Sequence, residues 1–121
     1  MRQVRNPPYI CALDAAMDVV GGKWKALILW ALAERLHRFG ELRRTLPGVS
    51  EKVLAQQLRE LEADGIVRRT VFEEKPPRVE YALTDEGVAL YTALGALGEW
   101  GVRRMRTLGV VPTHGKDQAG A

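Results

Sequence analysis

The chain has 121 residues, of which 46% are hydrophobic and 27% charged, which is typical of one compact domain. Its formal net charge of +3 is compatible with nucleic-acid binding but is not diagnostic of it. A single cysteine excludes an internal disulfide framework and suits a reducing compartment, so we expect a cytoplasmic protein. The N-terminus lacks a signal-peptide pattern and the apolar run 26–33 is too short to span a bilayer, so we expect no membrane association.

Residues 1–10 form a basic arm that we expect to be flexible, because nothing in the pattern ties it down. Segment 11–20 predicts a first helix, with Leu13 and Met17 on its apolar face. Residues 23–34 predict a second helix, which we expect to be the central helix of the core. Its broad apolar face consists of Trp24, Leu27, Ile28, Ala31 and Leu32.

A third, short helix is predicted over residues 39–46, after a connection at 35–38. Its inner face is apolar, whereas Arg43 and Arg44 lie outside. A helix that crosses a DNA backbone needs cations at such positions.

Residues 50–64 predict the helix around which the chain is organised. Pro47 and Gly48 end the preceding helix, and Ser50 occupies a favourable N-cap position. Gly65 supplies the C-terminal end. The buried face is marked by leucines at positions i, i+4 and i+7, which are Leu54, Leu58 and Leu61.

The opposite face of this helix is polar and cationic. It carries Lys52, Gln56 and Arg59, with Val53 and Gln57 beside them. Glutamine can pair bidentately with adenine, and arginine or lysine with guanine, so the face is suited to contact base edges. The same residue types are also good helix formers on a solvated surface, so the face alone leaves both interpretations open.

Two strands are predicted next, over residues 66–72 and 79–83. The loop between them, 73–78, contains two consecutive prolines, which cannot donate to a sheet. We expect this loop to present Lys75 and Arg78 on a projecting tip, where they could meet phosphates or a minor groove. A solvated hairpin is the alternative. Helix, turn, helix and hairpin in this order predict a winged helix-turn-helix.

One long C-terminal helix is predicted from Thr84, its N-cap candidate, to about Thr107. Four glycines lower its stability by about 1 kcal/mol each relative to alanine, so it needs packing partners. Its long apolar stripe, together with the first helix, predicts a homodimer surface; an intramolecular core contact is the alternative. The expected interface residues are Leu13, Met17, Leu90, Leu94, Leu97 and Trp100. The predicted fold is mainly α with a small β-hairpin wing, a winged helix-turn-helix with N- and C-terminal dimerisation helices.

Five motifs occur in a fixed order: GGKW at 21–24, FxELRR at 39–44, PGVS at 47–50, LxxxLRxLExDG at 54–65 and PPRVEYxLT at 76–84. With the lone Cys11 ahead of the first helix, they resemble the HxlR-type family of bacterial transcriptional regulators, which are relatives of the MarR-type winged-helix proteins. The resemblance covers about residues 11–100. We therefore place an HxlR-type domain at 11–108 and a disordered tail at 109–121.

The resemblance implies a DNA-binding transcriptional regulator, which we expect to be a repressor. In some members of such a family, binding is altered by a small electrophile or an oxidant, and Cys11 is similar in position to their sensor thiol. The immediate neighbours of Cys11 include no cation that would favour a reactive thiolate, and free cysteines are often buried. A sensing thiol and a buried packing thiol both remain open.

The predicted partner is double-stranded DNA, bound by a homodimer on a palindromic operator whose half-sites are roughly 34–36 Å apart. The expected DNA contacts are Arg43, Arg44, Ser50, Lys52, Val53, Gln56, Gln57, Arg59, Lys75 and Arg78. A protein-interaction or ligand-sensing module that does not bind DNA is the second hypothesis.

We do not expect an enzyme, because the sequence has no phosphate loop, no paired carboxylates in an apolar setting and no Cys/His nucleophile pair. No cofactor is predicted. His37 and His114 are not at metal-ligand spacing, so no metal site is predicted either.

Overall fold

The computed structural model describes residues 8–113, so the predictions for residues 1–7, for His114 and for the rest of the tail to 121 lie outside the described residues. In chain order the elements are α1 (Ala12–Val20), α2 (Trp24–Glu34), β1 (His37–Arg38), α3 (Phe39–Thr45), α4 (Glu51–Ala63), β2 (Val67–Phe72), β3 (Arg78–Leu83), α5 (Asp85–Ala93) and α6 (Gly95–Leu108). The mainly helical fold with a small antiparallel sheet confirms the predicted winged helix-turn-helix. The chain divides into two compact units with the boundary after Tyr91.

The core of the first unit is built around α2, which packs against α3, α4 and β3. Ile28, Leu29, Ala31 and Leu32 of α2 are at most 4% exposed. Trp24 and Leu27, predicted on the same face, are only half-buried. Burial on more than one side of α2 explains why its apolar positions extend beyond a single stripe.

The ends of α4 form as its sequence predicts. The side-chain oxygen of Ser50 accepts the backbone N–H of Val53 at 3.1 Å, so Ser50 is the N-cap. Gly65 follows the C-cap residue with a φ of +77°, a left-handed conformation that glycine adopts without a Cβ clash. Leu54, Leu58 and Leu61 on the inner face are 0–2% exposed. The buried face and both ends of α4 are therefore confirmed.

The wing is a three-stranded sheet in the order β1-β3-β2, with both pairings antiparallel. β2 and β3 pair from Val67 opposite Leu83 to Phe72 opposite Arg78. The prediction of a plain connection at 35–38 was wrong, because His37 and Arg38 form β1 and pair with β3. Two residues are too few to show a strand period, so this strand depends on its contact with β3.

The prediction of one C-terminal helix was also wrong. α5 ends at Ala93 and α6 begins at Gly95, and between them Leu94 has φ −77° and ψ −9°. This ψ departs from the helical value of about −42°. The interruption falls next to a glycine, the poorest helix former after proline. Within residues 8–113, no helix is both long and apolar enough to cross a membrane.

Thr84 ties the start of α5 to the segment that follows α4. Its hydroxyl lies 2.6 Å from the carbonyl oxygen of Gly65 and 3.1 Å from that of Ile66, and it accepts the backbone N–H of Gly87 at 3.1 Å. The predicted N-cap role of Thr84 is therefore confirmed. A Cβ at Gly87 would lie only 2.2 Å from the carbonyl oxygen of Ile66, so this close approach requires a glycine.

Candidate nucleic-acid interface

One face of α4 is open to solvent along the length of the helix. Lys52, Gln56 and Arg59 on this face are exposed, while Val53 and Gln57 at its margins are half-buried. The leucines on the opposite side hold the helix against α2 and β2. The side chains that the sequence predicts as base contacts thus come together on one surface, which has both hydrogen-bond donors and acceptors.

A buried lysine lies beneath this face, which sequence reasoning missed. Lys25 of α2 is 5% exposed, and its ammonium group forms an ion pair with Oε1 of Glu60 on α4. Gln56 donates from Nε2 to Oε2 of the same carboxylate at 3.4 Å. Lysine is rarely buried unless it is paired. A single lysine in an apolar helix forms no sequence pattern, so its partner 35 positions away could not be identified from the sequence.

The two arginines predicted to flank the DNA backbone lie on the exposed side of α3. Arg43 forms an ion pair with Glu51 across the turn, with 3.5 Å between Nη1 and Oε2. The guanidinium of Arg44 lies beside Gly40, with Nη1 3.5 Å from where a Cβ would stand. Both side chains are solvent-accessible, so a phosphate could reach either of them.

The start of α3 is held by Glu41, whose Oε1 accepts the backbone N–H of Arg38 at 2.8 Å. This is one half of a capping box, because the arginine side chain at the N-cap offers no acceptor. The bond to the Arg38 N–H, with a smaller contribution from the nearby Arg35 guanidinium, holds the pKa of Glu41 below its usual value.

The two DNA contacts predicted for the wing loop, Lys75 and Arg78, lie in different surroundings. Lys75 lies in the exposed loop and is followed by a cis peptide bond to Pro76. Arg78 is the first residue of β3 and pairs with Phe72 at the loop end of the hairpin, so the loop ends one residue earlier than predicted. Its guanidinium lies 4.2 Å from the centre of the Phe72 ring and forms ion pairs with carboxylates of the wing. The partners are Glu74 at 3.2 Å and Glu80 at 3.4 Å.

Two further cations on the wing were missed as candidates. Arg68 and Arg69 of β2, an edge strand of the sheet, are exposed, and neither forms an ion pair with any residue in the range 8–113. Consecutive arginines in a strand point to opposite faces, so the sequence alone did not show that both would reach solvent.

The N-terminal helix carries the predicted sensor and part of the predicted dimer surface. Cys11 is the N-cap residue of α1 and its side chain is exposed, so the alternative of a buried packing thiol is wrong for the single chain. Leu13 is 68% and Met17 49% exposed on the same helix.

The second unit carries the other part of the predicted dimer surface. Leu97 and Trp100 of α6 are 64% and 55% exposed. Leu94, between α5 and α6, is half-buried, as is Leu90 near the end of the first unit. Large apolar side chains are therefore exposed on α6, while Leu90 and Leu94 are partly covered by the chain itself.

His37 is buried, and its ring is held by the backbone. It is 4% exposed in β1, and its Nδ1 lies 2.8 Å from the backbone oxygen of Arg35, which can only accept a hydrogen bond. Across the described range, no three His, Cys, Asp or Glu side chains are grouped as metal ligands.

The chain matches known proteins over most of its length. The family model of the HxlR-like helix-turn-helix matches residues 19–108. An uncharacterized HTH-type transcriptional regulator of Bacillus subtilis, YybR, is 41% identical over 110 residues, which cover 89% of this chain and 88% of YybR.

Solved structures of similar fold include two regulators in their reduced forms. The redox regulator HypR in its reduced form is 40% identical with a TM-score of 0.77, over 82% of this chain and 98% of that chain. The reduced form of the transcriptional regulator YodB from Bacillus subtilis is 37% identical with a TM-score of 0.66, over 75% and 90% of the two chains. With the winged helix and the exposed face of α4, these matches show that the chain belongs to the HxlR-like helix-turn-helix family and is a transcriptional regulator, not an enzyme.

Proposed function

We propose that this regulator is a sequence-specific repressor that binds a palindromic operator as a homodimer in the cytoplasm. The observation that carries the proposal is the exposed face of α4, on which Lys52, Gln56 and Arg59 are accessible to solvent. An α-helix fits the major groove, where each base pair presents a distinct pattern of donors and acceptors. Glutamine, arginine and lysine on one helix face can contact that pattern directly.

The other predicted contacts divide by position. Gln57 and Val53 border the face of α4. The Ser50 hydroxyl oxygen accepts the Val53 N–H, which leaves the hydroxyl proton to donate to a phosphate at the helix start. Arg43 and Arg44 of α3 would contact the backbone, with Arg43 exchanging Glu51 for a phosphate.

The wing would contact the neighbouring minor groove through Lys75. Arg78 can join it only by giving up its carboxylate partners Glu74 and Glu80. We therefore assign Lys75 as the primary contact of the wing, with Arg78 as a second contact that competes with these ion pairs. Glu73 and Glu74 in the same loop oppose phosphate binding, so base contacts must supply more of the specificity.

A second copy of the chain would cover the exposed apolar side chains of α1 and α6. Burial of apolar surface is worth roughly 25 cal/mol per Å², so these positions favour association. The interface would comprise Leu13, Met17, Leu90, Leu94, Leu97 and Trp100. A two-fold axis would then place the two α4 helices in successive major grooves, about one helical turn apart.

The exposure of Cys11 supports a response to an electrophile or oxidant through its thiol. HypR and YodB, both similar to this chain, have been solved in more than one redox or treatment state. Titration with a mild electrophile tests this part of the proposal: alkylation of Cys11 should weaken DNA binding. Unchanged DNA binding after complete alkylation would contradict it, and Cys11→Ser serves as the control without a reactive thiol.

A gel shift with the DNA upstream of the protein's own gene tests the main proposal. We expect retardation that weakens steeply as salt rises, because phosphate contacts release counterions. A scrambled duplex of equal length and composition is the control. Equal retardation of both duplexes at all salt concentrations would refute sequence-specific binding, and a monomer in size-exclusion chromatography at the binding concentration would refute the homodimer.

A further inference from the structure

The ion pair between Lys25 and Glu60 places a buried ammonium group beside a partly exposed carboxylate. Taking the ammonium group out of water is expensive, and well-packed apolar residues often replace a buried charge pair without loss of stability. Lys25 is nevertheless 5% exposed in the central core helix, and its partner lies on the helix that carries the candidate base contacts. The position of this pair therefore suggests a role in arranging α4.

The two oxygens of the Glu60 carboxylate contact different side chains. Oε1 pairs with the Lys25 ammonium group, and Oε2 accepts from Nε2 of Gln56 at 3.4 Å. The Lys25 side chain is 6% exposed, that of Glu60 is 31% exposed, and Gln56 is on the open face. A continuous set of polar contacts therefore runs from the core of the domain to a side chain that faces solvent.

This contact favours one orientation of the Gln56 amide. An ionised carboxylate can only accept hydrogen bonds, so the amide nitrogen, and not the carbonyl oxygen, must face Glu60. The amide oxygen and the second N–H of Gln56 then face an outside partner in one arrangement, with the acceptor and the donor in set positions. Without Glu60 the amide could rotate by half a turn and present the two groups in either order.

We propose that Lys25 and Glu60 are positioning residues that set the Gln56 amide to recognise an A·T base pair in the major groove. Adenine presents the N7 acceptor beside the N6 donor, and a glutamine amide held in one orientation matches this pair bidentately. Lys25 does not contact DNA in this arrangement; it acts by holding Glu60. The inference rests on the proposed DNA binding and adds a specificity mechanism to it.

The test uses the full chain and an operator obtained by in-vitro selection from random duplexes. Affinities are measured for the operator and for every single base-pair change, and Gln56→Ala identifies the base pair that Gln56 contacts. A bidentate pair discriminates by about 5- to 150-fold between bases. We expect Lys25→Met to lower the discrimination at that base pair toward the Gln56→Ala value and to leave the other positions unchanged.

Two comparisons separate positioning from a general structural effect. In the Gln56→Ala background, Lys25→Met should have no further effect on base preference. Glu62→Gln removes a carboxylate from the exposed part of α4, and should leave the discrimination at every base pair as in the wild type. Thermal unfolding confirms that each variant is folded.

If Lys25→Met does not fold, the double variant Lys25→Met/Glu60→Gln removes both charges at similar volume, and the same localised loss is expected. A loss spread evenly over all base pairs, or effects of Lys25→Met and Gln56→Ala that add, would overturn the inference. Full discrimination in both lysine variants would overturn it as well while leaving the proposed function intact. A wild-type protein without any base preference would instead refute both.

Discussion

Substitution of Gly87 by alanine tests how tightly α5 is fixed to the segment after α4. The new Cβ would lie 2.2 Å from the Ile66 carbonyl oxygen, whereas real Cβ atoms essentially never come closer than 3.0 Å, so the carbonyl must move by about 0.8 Å. That oxygen accepts the Thr84 backbone N–H at 3.0 Å and lies 3.1 Å from the Thr84 hydroxyl, so both contacts would be strained.

The expected cost follows from this geometry. Overpacking costs about 1–3 kcal/mol of folding free energy. The obstacle here is the Ile66 carbonyl, which as part of the backbone cannot rotate away as a side chain can. The cost of Gly87→Ala should therefore lie at the upper end of this range. Alanine returns at most about 1 kcal/mol through its better helix propensity, so the net loss should be about 2 kcal/mol.

Gly40→Ala is the matched control. Its Cβ would meet only Nη1 of Arg44 at 3.5 Å, the end of a flexible side chain, so this variant should be unchanged or up to about 1 kcal/mol more stable. The free energy of unfolding is measured by urea titration at one fixed protein concentration, since association also contributes to stability. Equal stabilities of Gly87→Ala and wild type would refute the steric argument, as would equal losses in both variants.

Three further predictions concern the candidate interface. Ser50→Ala should lower the free energy of unfolding by about 1 kcal/mol, because the N-cap is lost. Ser50→Asp should keep the cap but weaken DNA binding, because the carboxylate repels phosphate. A Ser50→Asp variant that binds DNA like the wild type would contradict the phosphate contact. Lys75→Ala should weaken binding to operator and random DNA equally, and lower the slope of log K against log salt by about 1.8 for the two wings of a dimer; an unchanged slope would exclude Lys75 as a phosphate contact. The lowered pKa of Glu41 means that its cap stabilises the fold fully above the ordinary pKa of a glutamate, and that this stabilisation is lost as pH falls through the lower folded pKa. Urea titrations across this acidic range should therefore show that the free energy of unfolding depends less on pH in Glu41→Gln than in the wild type. The same pH dependence in both proteins would contradict the role of Glu41 as the cap.

The sequence contains enough information to predict α4 and its surface. Three leucines on one face, a serine at the start and a glycine at the end each act locally, so the pattern and the structure agree. The exposed Lys52, Gln56 and Arg59 follow from the same periodicity, because a polar and charged face opposite the leucines is typical of a helix buried on one side only.

Features that depend on distant contacts could not be predicted in this way. The two-residue strand at His37 and Arg38 exists because β3 lies beside it. Lys25 is buried because Glu60, far along the chain, supplies a charge. Arg78 is half-buried at the loop end of the hairpin because the folded wing brings two carboxylates and an aromatic ring beside it.

The most direct test of the central claim, that the exposed face of α4 recognises bases, is a comparison of base preferences between the wild type and Gln56→Ala. In-vitro selection from random duplexes is carried out with each protein under the same salt conditions. We predict that the wild type selects a two-fold symmetric site and that Gln56→Ala loses preference at one base pair in each half-site, equivalent to about 1–3 kcal/mol, with all other positions retained. Identical preferences in the two proteins, or an even loss across the whole site, would contradict the claim.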